Sequence, residues 1–375
     1  MTAIEYAKKC CDTMMNQFPE AELPPVGKFH YHAGVFLSGM ERTYLMTGDE
    51  RYDQYIKKWL DYYVDKDGNI AMADVSTLDD IEPANLLIRY YENGEKAYKK
   101  TLDKMVPMFL DWKCNQKGGF WHKECYPNQM WLDGLYMAGP LAVRYGLMTG
   151  KEEYIALIHK QLMLMWENIR DEKTGLLYHA WDESKKAEWA DKKTGCSAEF
   201  WGRAIGWYVV AASDISEMLP DTSPYKKDFT ECAVRLVKAL CRFWDKQARL
   251  WYQVVDKGNR KDNWTETSCS CLFLYGISNL LRRGLLSDEY RPIADSAYRG
   301  IINNKIDVND DVLIVNDVCV GTGVGDYEYY INRPKIQNDL HGTGAFVLMC
   351  TEYQKLCQNE KKGRWRFSPP SLFGG

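Results

Sequence analysis

The chain has 375 residues, of which 46% are hydrophobic and 27% are charged, and its formal net charge is -4. These values are close to those of ordinary folded proteins and exclude extensive disorder. A slightly acidic chain without a cluster of lysines and arginines also excludes a dedicated nucleic-acid-binding surface. Tyrosine and tryptophan are frequent, with 25 and 13 residues, and such side chains suit sugar-binding clefts as well as ordinary cores.

The N-terminal segment, residues 1–15, mixes charged and apolar residues at helical spacing. It lacks the continuous apolar stretch of a signal peptide, and no run of about eighteen apolar residues, which a membrane-spanning helix requires, occurs elsewhere. We therefore expect a cytoplasmic protein with no membrane partner. The twelve cysteines are scattered and lack the spacings of zinc sites, so we expect reduced thiols, no disulfide, no metal and no other cofactor.

Two segments show the apolar periodicity of amphipathic helices. In residues 51–64 the apolar positions recur at steps of three or four, and residues 204–219 repeat the pattern until Pro220, where a helix is broken. The residues that we expect on the buried faces are Tyr52, Ile56, Leu60 and Tyr63 in the first helix and Ile205, Tyr208, Ala212, Ile215 and Leu219 in the second.

Glycine turns recur along the chain. Gly48, Gly94 and Gly150 each stand a few residues before an aromatic residue that opens a new helix, where glycine supplies the left-handed C-cap of the preceding helix. Helical hairpins that repeat at roughly 45 to 60 residues predict an all-α repeat architecture. Because an open solenoid shows a more regular period and polar capping repeats, we predict a closed toroid of hairpins, an (α/α)6 barrel, as a single domain over residues 1–375.

The segment 118–136 surrounds one acid, Asp133, with aromatic residues, amides and glycines. Trp131, Tyr136 and Met137 lie within about one helical turn of it, and apolar neighbours raise the pKa of a carboxyl group. Asp133 is therefore a candidate general acid. The alternative is that Asp133 caps the helix that follows, which the local pattern alone favours.

Three further segments carry candidate site residues. Asp79 and Asp80 offer a second acid before a helix, and for Asp80 we accept a capping role. His122 and His179 are two of only six histidines, although a single histidine is more often structural. Arg203 begins the helix over 204–219, where it could bind a carboxylate. The alternative for Arg203 is an ion pair on a solvated face.

Other reaction classes lack their motifs. The turn over 338–346 has no lysine or spacing of a phosphate-binding loop. The sequence has neither a GxSxG motif nor a Cys-His pair, which disfavours covalent acyl chemistry.

Six motifs, in order along nearly the whole chain, resemble those of the unsaturated rhamnogalacturonyl hydrolases of glycoside hydrolase family 105. They include ELPPVGKFHYHAGVFLSGM, TLDDI, GGFWHKECYPNQMWLDGLYMAGP and NDLHGTGAF, and the remaining two begin at Gly175 and Leu250. The resemblance implies an (α/α)6 barrel. It also implies an enzyme that removes a terminal 4,5-unsaturated galacturonate from a small oligosaccharide left by pectin lyases.

The same resemblance assigns roles to individual residues. It implies that Asp133 is the general acid and base and that Asp79 is a second active-site acid. The substrate-binding residues that it implies are His122, His179, Trp201, Arg203 and Trp207. The reaction that it implies is hydration of the C4=C5 enol ether of the sugar ring. Two alternatives remain open: an unsaturated glucuronyl hydrolase acting on glycosaminoglycan fragments and a non-catalytic sugar-binding protein. The leaving sugar and the oligomeric state stay open too.

Overall fold

The computed structural model describes residues 1–71 and 75–366, whose regular structure is almost entirely helical. The α-helices of this part of the chain are α1 (Ala3–Gln17), α2 (Tyr31–Thr47), α3 (Glu50–Tyr63), α4 (Leu87–Glu92), α5 (Lys96–Met105), α6 (Asp133–Thr149), α7 (Glu152–Ile169), α8 (Gly202–Met218), α9 (Lys226–Arg242), α10 (Thr267–Arg282), α11 (Arg291–Lys305), α12 (Tyr327–Ile331) and α13 (Leu340–Arg366). Short 3-10 helices span Glu20–Glu22, Leu78–Asp80, Glu82–Leu86, Val106–Asp111 and Asp288–Tyr290.

Twelve of these helices alternate between an inner and an outer ring. The inner ring runs from α2 to the joined 3-10 helix and α4 over residues 82–92, then to α6, α8, α10 and α13, and α13 packs back against α2. The outer helices α3, α5, α7, α9, α11 and α1 pack outside these inner elements in the same order. The ring is closed, which confirms the predicted (α/α)6 barrel.

The two helices predicted from periodicity differ in how much of their surface is buried. In α3 the predicted stripe of Tyr52, Ile56, Leu60 and Tyr63 is buried, and the opposite face is exposed. In α8 every residue from 202 to 216 is buried. This helix belongs to the inner ring, where neighbours cover all of its sides.

Glycines end two of the inner helices as predicted. Gly48 follows α2 with a φ of 70°, and Gly150 follows α6 with a φ of 71°. The left-handed conformation is strained for residues with a Cβ atom. Each of these glycines therefore allows the chain to turn from an inner helix into the next outer one.

Among the described residues, three small antiparallel sheets lie in the loops that lead into inner helices. They pair β1 (Gln129–Trp131) with β2 (Ala180–Asp182), β3 (Ile306–Val308) with β4 (Leu313–Val315), and β5 (Val318–Cys319) with β6 (Lys335–Ile336). In the first sheet Trp131 lies opposite Ala180. The N–H of Leu132 donates to the carbonyl of His179 at 3.0 Å. This sheet places the start of α6 beside His179.

All twelve cysteines lie in the described residues, and none of them forms a disulfide there. Within residues 1–71 and 75–366, none of the helices combines the length and the apolar content that crossing a bilayer demands.

Candidate active site

A cavity of about 290 Å³ opens at the end of the barrel where the inner helices begin. Helix N-termini carry partial positive charge, which favours an anionic ligand. The cavity is lined by residues from the N-terminal turns of α2 and α6, from the loops before α4 and α6, and from the loop after β5: His30, Tyr31, His32, Asp79, His122, Lys123, Tyr126, Trp131, Asp133, Met137, Gly321, Thr322 and Gly323.

The structure brings three of the seven predicted site residues to the surface of this cavity. These three are Asp79, His122 and Asp133. The other four are buried and do not line it, namely His179, Trp201, Arg203 and Trp207. The sequence motifs therefore include residues that line the cavity and residues that are buried behind its surface.

Asp133 is the first residue of α6, and its carboxyl group faces a buried histidine. Its Oδ2 atom lies 3.3 Å from Nε2 of His179, whose side chain is fully buried. The N-cap of α6 is Leu132, with no side-chain capping bond. Asp133 is therefore not the helix cap that the local pattern favoured.

The prediction of a raised pKa for Asp133 is wrong for the free protein. Burial raises the pKa of this carboxyl, but the hydrogen-bonding and charge interactions with His179 and His122 outweigh burial and leave the pKa below its ordinary value. Burial likewise lowers the pKa of His179. The two directions agree with a carboxylate beside a neutral imidazole at neutral pH.

Tyr330 completes this side of the site, although nothing in the sequence singled it out. Its hydroxyl lies 2.7 Å from Nδ1 of His179 and accepts the N–H of Gly325 at 3.1 Å. A phenol has a single hydrogen. If that hydrogen bonds to Nδ1, the hydrogen of His179 sits on Nε2 and faces Asp133. The three side chains then form a connected row from Tyr330 to the cavity.

Asp79 lies on the other side of the cavity, between two basic side chains. Its Oδ1 is 3.1 Å from Nε2 of His122, and its Oδ2 is 2.7 Å from Nζ of Lys123. Burial raises the pKa of Asp79, but these two neighbours outweigh burial, and the pKa lies well below its ordinary value. Asp79 is thus held as a carboxylate. Asp80, the neighbouring acid, does not line the cavity, and its Oδ1 lies 3.8 Å from Nε2 of His30.

A stack of three rings forms one wall of the cavity. The indole of Trp131 lies against His122, with ring centroids 4.6 Å apart and planes inclined by 10°, and against Tyr126 at 5.3 Å and 17°. Lys123 and Tyr126 were not among the predicted residues, although both lie inside the motif that contains Asp133. Their position close to His122 within that motif was the signal that could have identified them as site residues.

Arg203 holds a loop and forms no ion pair with any of the described residues. Its buried guanidinium donates from Nη1 to the carbonyl of Cys319 at 2.5 Å and from Nη2 to that of Val320 at 2.9 Å. It also lies over the ring of Trp201 at 4.6 Å. The solvated ion pair that was the alternative for Arg203 is therefore absent, and the side chain fixes the start of the segment that lines the cavity at Gly321–Gly323.

The two predicted tryptophans belong to the same inner layer. Trp201 lies against His179, with ring centroids 4.6 Å apart, and stacks on Tyr330 at 5.7 Å. Trp207 lies one turn into α8 beside Tyr136, at 4.6 Å. Trp201 therefore supports the row behind Asp133, and Trp207 packs deeper in the barrel.

A cluster beside the cavity has the residue types of a metal site. The potential ligand atoms of His32, Asp339 and His341 lie within 4.8 Å of one another. Nε2 of His341 lies 2.9 Å from the carbonyl of Cys319, and its Nδ1 lies 2.9 Å from Asp339. The rings of His32 and His341 stack with planes inclined by 28°. Because a carbonyl oxygen only accepts, Nε2 of His341 carries a hydrogen, and Nδ1 is the ring atom that faces Asp339.

Comparisons with known proteins agree with this geometry. The family model described as Glycosyl Hydrolase Family 88 matches residues 6–357. A solved structure of a family 105 glycoside hydrolase from C. acetobutylicum ATCC 824 superposes with a TM-score of 0.88 at 33% identity. The match covers 93% of this chain and 99% of that one. It confirms the resemblance to family 105 drawn from the motifs.

Two further matches are to proteins named for the unsaturated uronate that they release. The protein called unsaturated rhamnogalacturonyl hydrolase YesR, from Bacillus subtilis strain 168, is 27% identical over 267 residues, which are 68% of this chain and 71% of that protein. The unsaturated glucuronyl hydrolase of Bacillus sp. GL1 superposes with a TM-score of 0.68 at 14% identity, covering 93% of this chain and 95% of that one. At that identity the second comparison shows the shared fold alone.

Proposed function

The chain belongs to Glycosyl Hydrolase Family 88 and is a glycoside hydrolase, and we propose that it removes terminal 4,5-unsaturated galacturonate from short pectin-derived oligosaccharides. The first proposed substrate is a disaccharide in which this uronate is linked to rhamnose, so that the reaction separates the two sugars. The relative from Bacillus subtilis that carries the name of this activity supports the choice. The twelve unpaired cysteines support the cytoplasm, a reducing compartment, as its location.

The observation that carries the proposal is the position of Asp133. Its carboxyl group lines the cavity and has a neutral imidazole, His179, 3.3 Å behind it. The side chain of Asp133 is 13% exposed, so a ligand can reach it while most of the group stays out of water. A carboxyl group in this position can exchange a proton with a bound sugar ring.

The proposed reaction is hydration of the ring double bond. Asp133 donates a proton to C4, the electron pair of the C4=C5 bond forms the new C–H bond, and positive charge develops at C5. Water adds to C5 and returns a proton to Asp133. The resulting hemiketal opens and releases the second sugar. Ordinary glycosidases differ, since two carboxyl groups act across the glycosidic bond itself.

Asp133 is a carboxylate in the free protein, so it must gain a proton before it can donate one. The substrate provides the cause, because its own carboxylate brings a like charge into the cavity and raises the pKa of a neighbouring acid. Exclusion of water by the bound ring acts in the same direction. We infer that Asp133 takes up a proton as the substrate binds.

Asp79 has the complementary role in this proposal. Its two basic partners keep it ionised, which makes it a poor proton donor. A fixed carboxylate stabilises positive charge that develops on a nearby ring. Asp79 also orients His122 through the 3.1 Å contact, so that His122 and Lys123 can face the uronate carboxylate.

The buried residues Trp201, Arg203 and Trp207 act indirectly in this proposal. We propose that Trp201 and Arg203 position His179 and the segment that lines the cavity at Gly321–Gly323, rather than binding the sugar as a stacking platform and a carboxylate clamp. Trp207 then contributes packing at Tyr136.

The test is incubation of the protein with unsaturated rhamnogalacturonan disaccharide while the ultraviolet absorbance of the double bond is followed. We expect the absorbance to decay with the wild-type protein and to persist with Asp133→Asn. Persistence with both proteins would contradict the proposal.

A parallel assay separates the remaining alternatives. An unsaturated glucuronyl disaccharide from a glycosaminoglycan should react much more slowly than the pectin-derived one. Faster decay with the glycosaminoglycan fragment would assign the chain to the glucuronyl activity instead. Tight binding of both without decay would identify a sugar-binding protein.

A further inference from the structure

A second cavity, of about 370 Å³, lies on the outer ring between the C-terminal turns of α7 and α9. It shares no lining residue with the candidate active site. Its lining consists of two aromatic residues, four basic residues and two small ones: Trp166, Tyr290, Arg170, Arg235, Lys238, Arg242, Gly175 and Ala239.

The charge of this lining is unbalanced. Four cations line the cavity, namely Arg170, Arg235, Lys238 and Arg242, and none of its lining residues in the described part of the chain is acidic. In the described part of the chain, none of these four cations lies within ion-pair distance of a carboxylate. Asp228, on the same helix as Arg235, contacts His159 at 2.7 Å instead. Four like charges around one cavity repel each other and attract anions.

Three partly buried arginines elsewhere in the protein pair with carboxylates. Arg42 pairs with Asp214, Arg89 with Glu41 and Asp53, and Arg282 with Glu217 and Glu352. Arg170 is the half-buried cation of the outer cavity, and within the described residues it has no carboxylate partner, whereas Arg235, Lys238 and Arg242 are exposed.

The arginines of the cavity are also held in place before any ligand binds. The guanidinium carbons of Arg170 and Arg235 lie 5.1 Å and 5.4 Å from the ring centroid of Trp166, which is only 8% exposed. Arg242 donates to the carbonyl of Thr174. Nε of Arg170 is buried and has no hydrogen-bond partner. An unpartnered buried donor is costly, and a ligand oxygen would satisfy it.

We propose that this cavity binds the phosphate or sulfate group of a small molecule. Guanidinium groups offer paired N–H donors that match the oxygens of such groups. The four positive charges of the lining favour a ligand group with two negative charges over a single carboxylate. A chain with a net charge of -4 and only four clustered cations favours a small ligand over nucleic acid.

The test is isothermal titration calorimetry of the whole protein with inorganic phosphate, at a pH where phosphate is a dianion and at constant ionic strength set with sodium chloride. The variant Arg235→Gln/Lys238→Gln removes two exposed cations of the cavity. The matched control Lys227→Gln/Lys246→Gln removes two exposed lysines that do not line it. Both double variants should keep the hydrolase activity, so the result is independent of the proposed function.

We expect phosphate to saturate one site in the wild-type protein and in the control. Affinity should fall at least about tenfold in the cavity variant, as expected for the loss of a charge-assisted hydrogen bond. Equal affinity in both variants, or no saturable binding to the wild-type protein, would overturn the proposal. Titrations with sulfate and with a sugar phosphate show whether the cavity binds a sulfate or a phosphate group. Binding of digalacturonate, but of neither of these two ligands, would show that the ligand class is wrong.

Discussion

The two sides of the cavity hold their carboxylates in different ways. On one side Asp133 faces a single buried imidazole, His179, whose own pKa is lowered by burial. On the other side Asp79 contacts both His122 and Lys123, and its pKa lies well below the ordinary value. A carboxylate with one neutral partner can change its protonation state when a ligand arrives, whereas a carboxylate with a lysine partner stays ionised.

The largest expected effect is that of Asp133→Asn on the side that exchanges protons. Replacing the carboxyl by an amide removes the proton donor but keeps the size of the side chain. Turnover of the unsaturated disaccharide should fall by about a thousandfold, within the usual range for loss of a general acid. The measurement is kcat, with ligand affinity by calorimetry as the control. A variant that retains more than a tenth of the wild-type turnover would show that another group donates the proton.

The substitution Asp79→Asn tests the side that stays ionised. Turnover should fall by about a hundredfold, because a fixed negative charge near the reacting ring is lost. Lys123→Met leaves Asp79 with His122 and should have a smaller effect on turnover. If Asp79→Asn lowered turnover more than Asp133→Asn, the assignment of the two roles would have to be exchanged.

Tyr330→Phe alters the row behind Asp133 without touching the cavity surface. Loss of the hydroxyl leaves Nδ1 of His179 without its 2.7 Å partner. We expect kcat to fall about tenfold, the effect of about 1.4 kcal/mol, and its dependence on pH to shift. The matched control is Tyr327→Phe, whose hydroxyl donates to Asp262 outside the site. An unshifted pH profile with lower stability would reduce Tyr330 to a structural role.

A smaller effect tests proton uptake directly. Binding of galacturonate, an unreactive uronate, should take up a fraction of a proton in the wild-type protein, because the bound carboxylate raises the pKa of Asp133. Calorimetry in two buffers of different ionisation enthalpy measures this uptake. Asp133→Asn should show less uptake than the wild type and Asp79→Asn the same uptake. Equal uptake by the wild type and Asp133→Asn would assign the proton to another group.

Stability at acidic pH gives the smallest expected difference between the two sides. The folded-state pKa of Asp79 lies below the ordinary value of 3.8. Its interactions therefore stabilise the protein fully above that value and lose their contribution as the pH falls below it. Near neutral pH the free energy of unfolding in urea should be higher for the wild type than for Asp79→Asn. This difference should shrink below about pH 4, and a constant difference would contradict the linkage.

The sequence supported the prediction of the barrel because helix formation depends on local pattern. The stripe in α3, the end of α8 before Pro220 and the glycine C-caps at Gly48 and Gly150 are each read within a few turns of chain. The candidate acid Asp133 was also visible, because its own segment concentrates aromatic and amide side chains.

The pKa of Asp133 was predicted in the wrong direction because the decisive neighbour is distant in sequence. The residues next to Asp133 in the chain are apolar, and Arg144, the basic residue of the same helix, lies too far along it to lower the pKa of Asp133. His179 reaches Asp133 only because β1 pairs with β2. Arg203 shows the same limit, since its carbonyl partners at Cys319 and Val320 belong to another loop.

By itself the sequence determined the helices, their closure into a barrel and the family, because periodicity, caps and motif order are properties of the chain. Only the tertiary structure decided which motif residues face the cavity, which stand behind it and in which direction each carboxyl pKa moves. These properties depend on distances of a few ångströms between side chains from different loops. Electrostatic and hydrogen-bonding interactions are strong only at such distances.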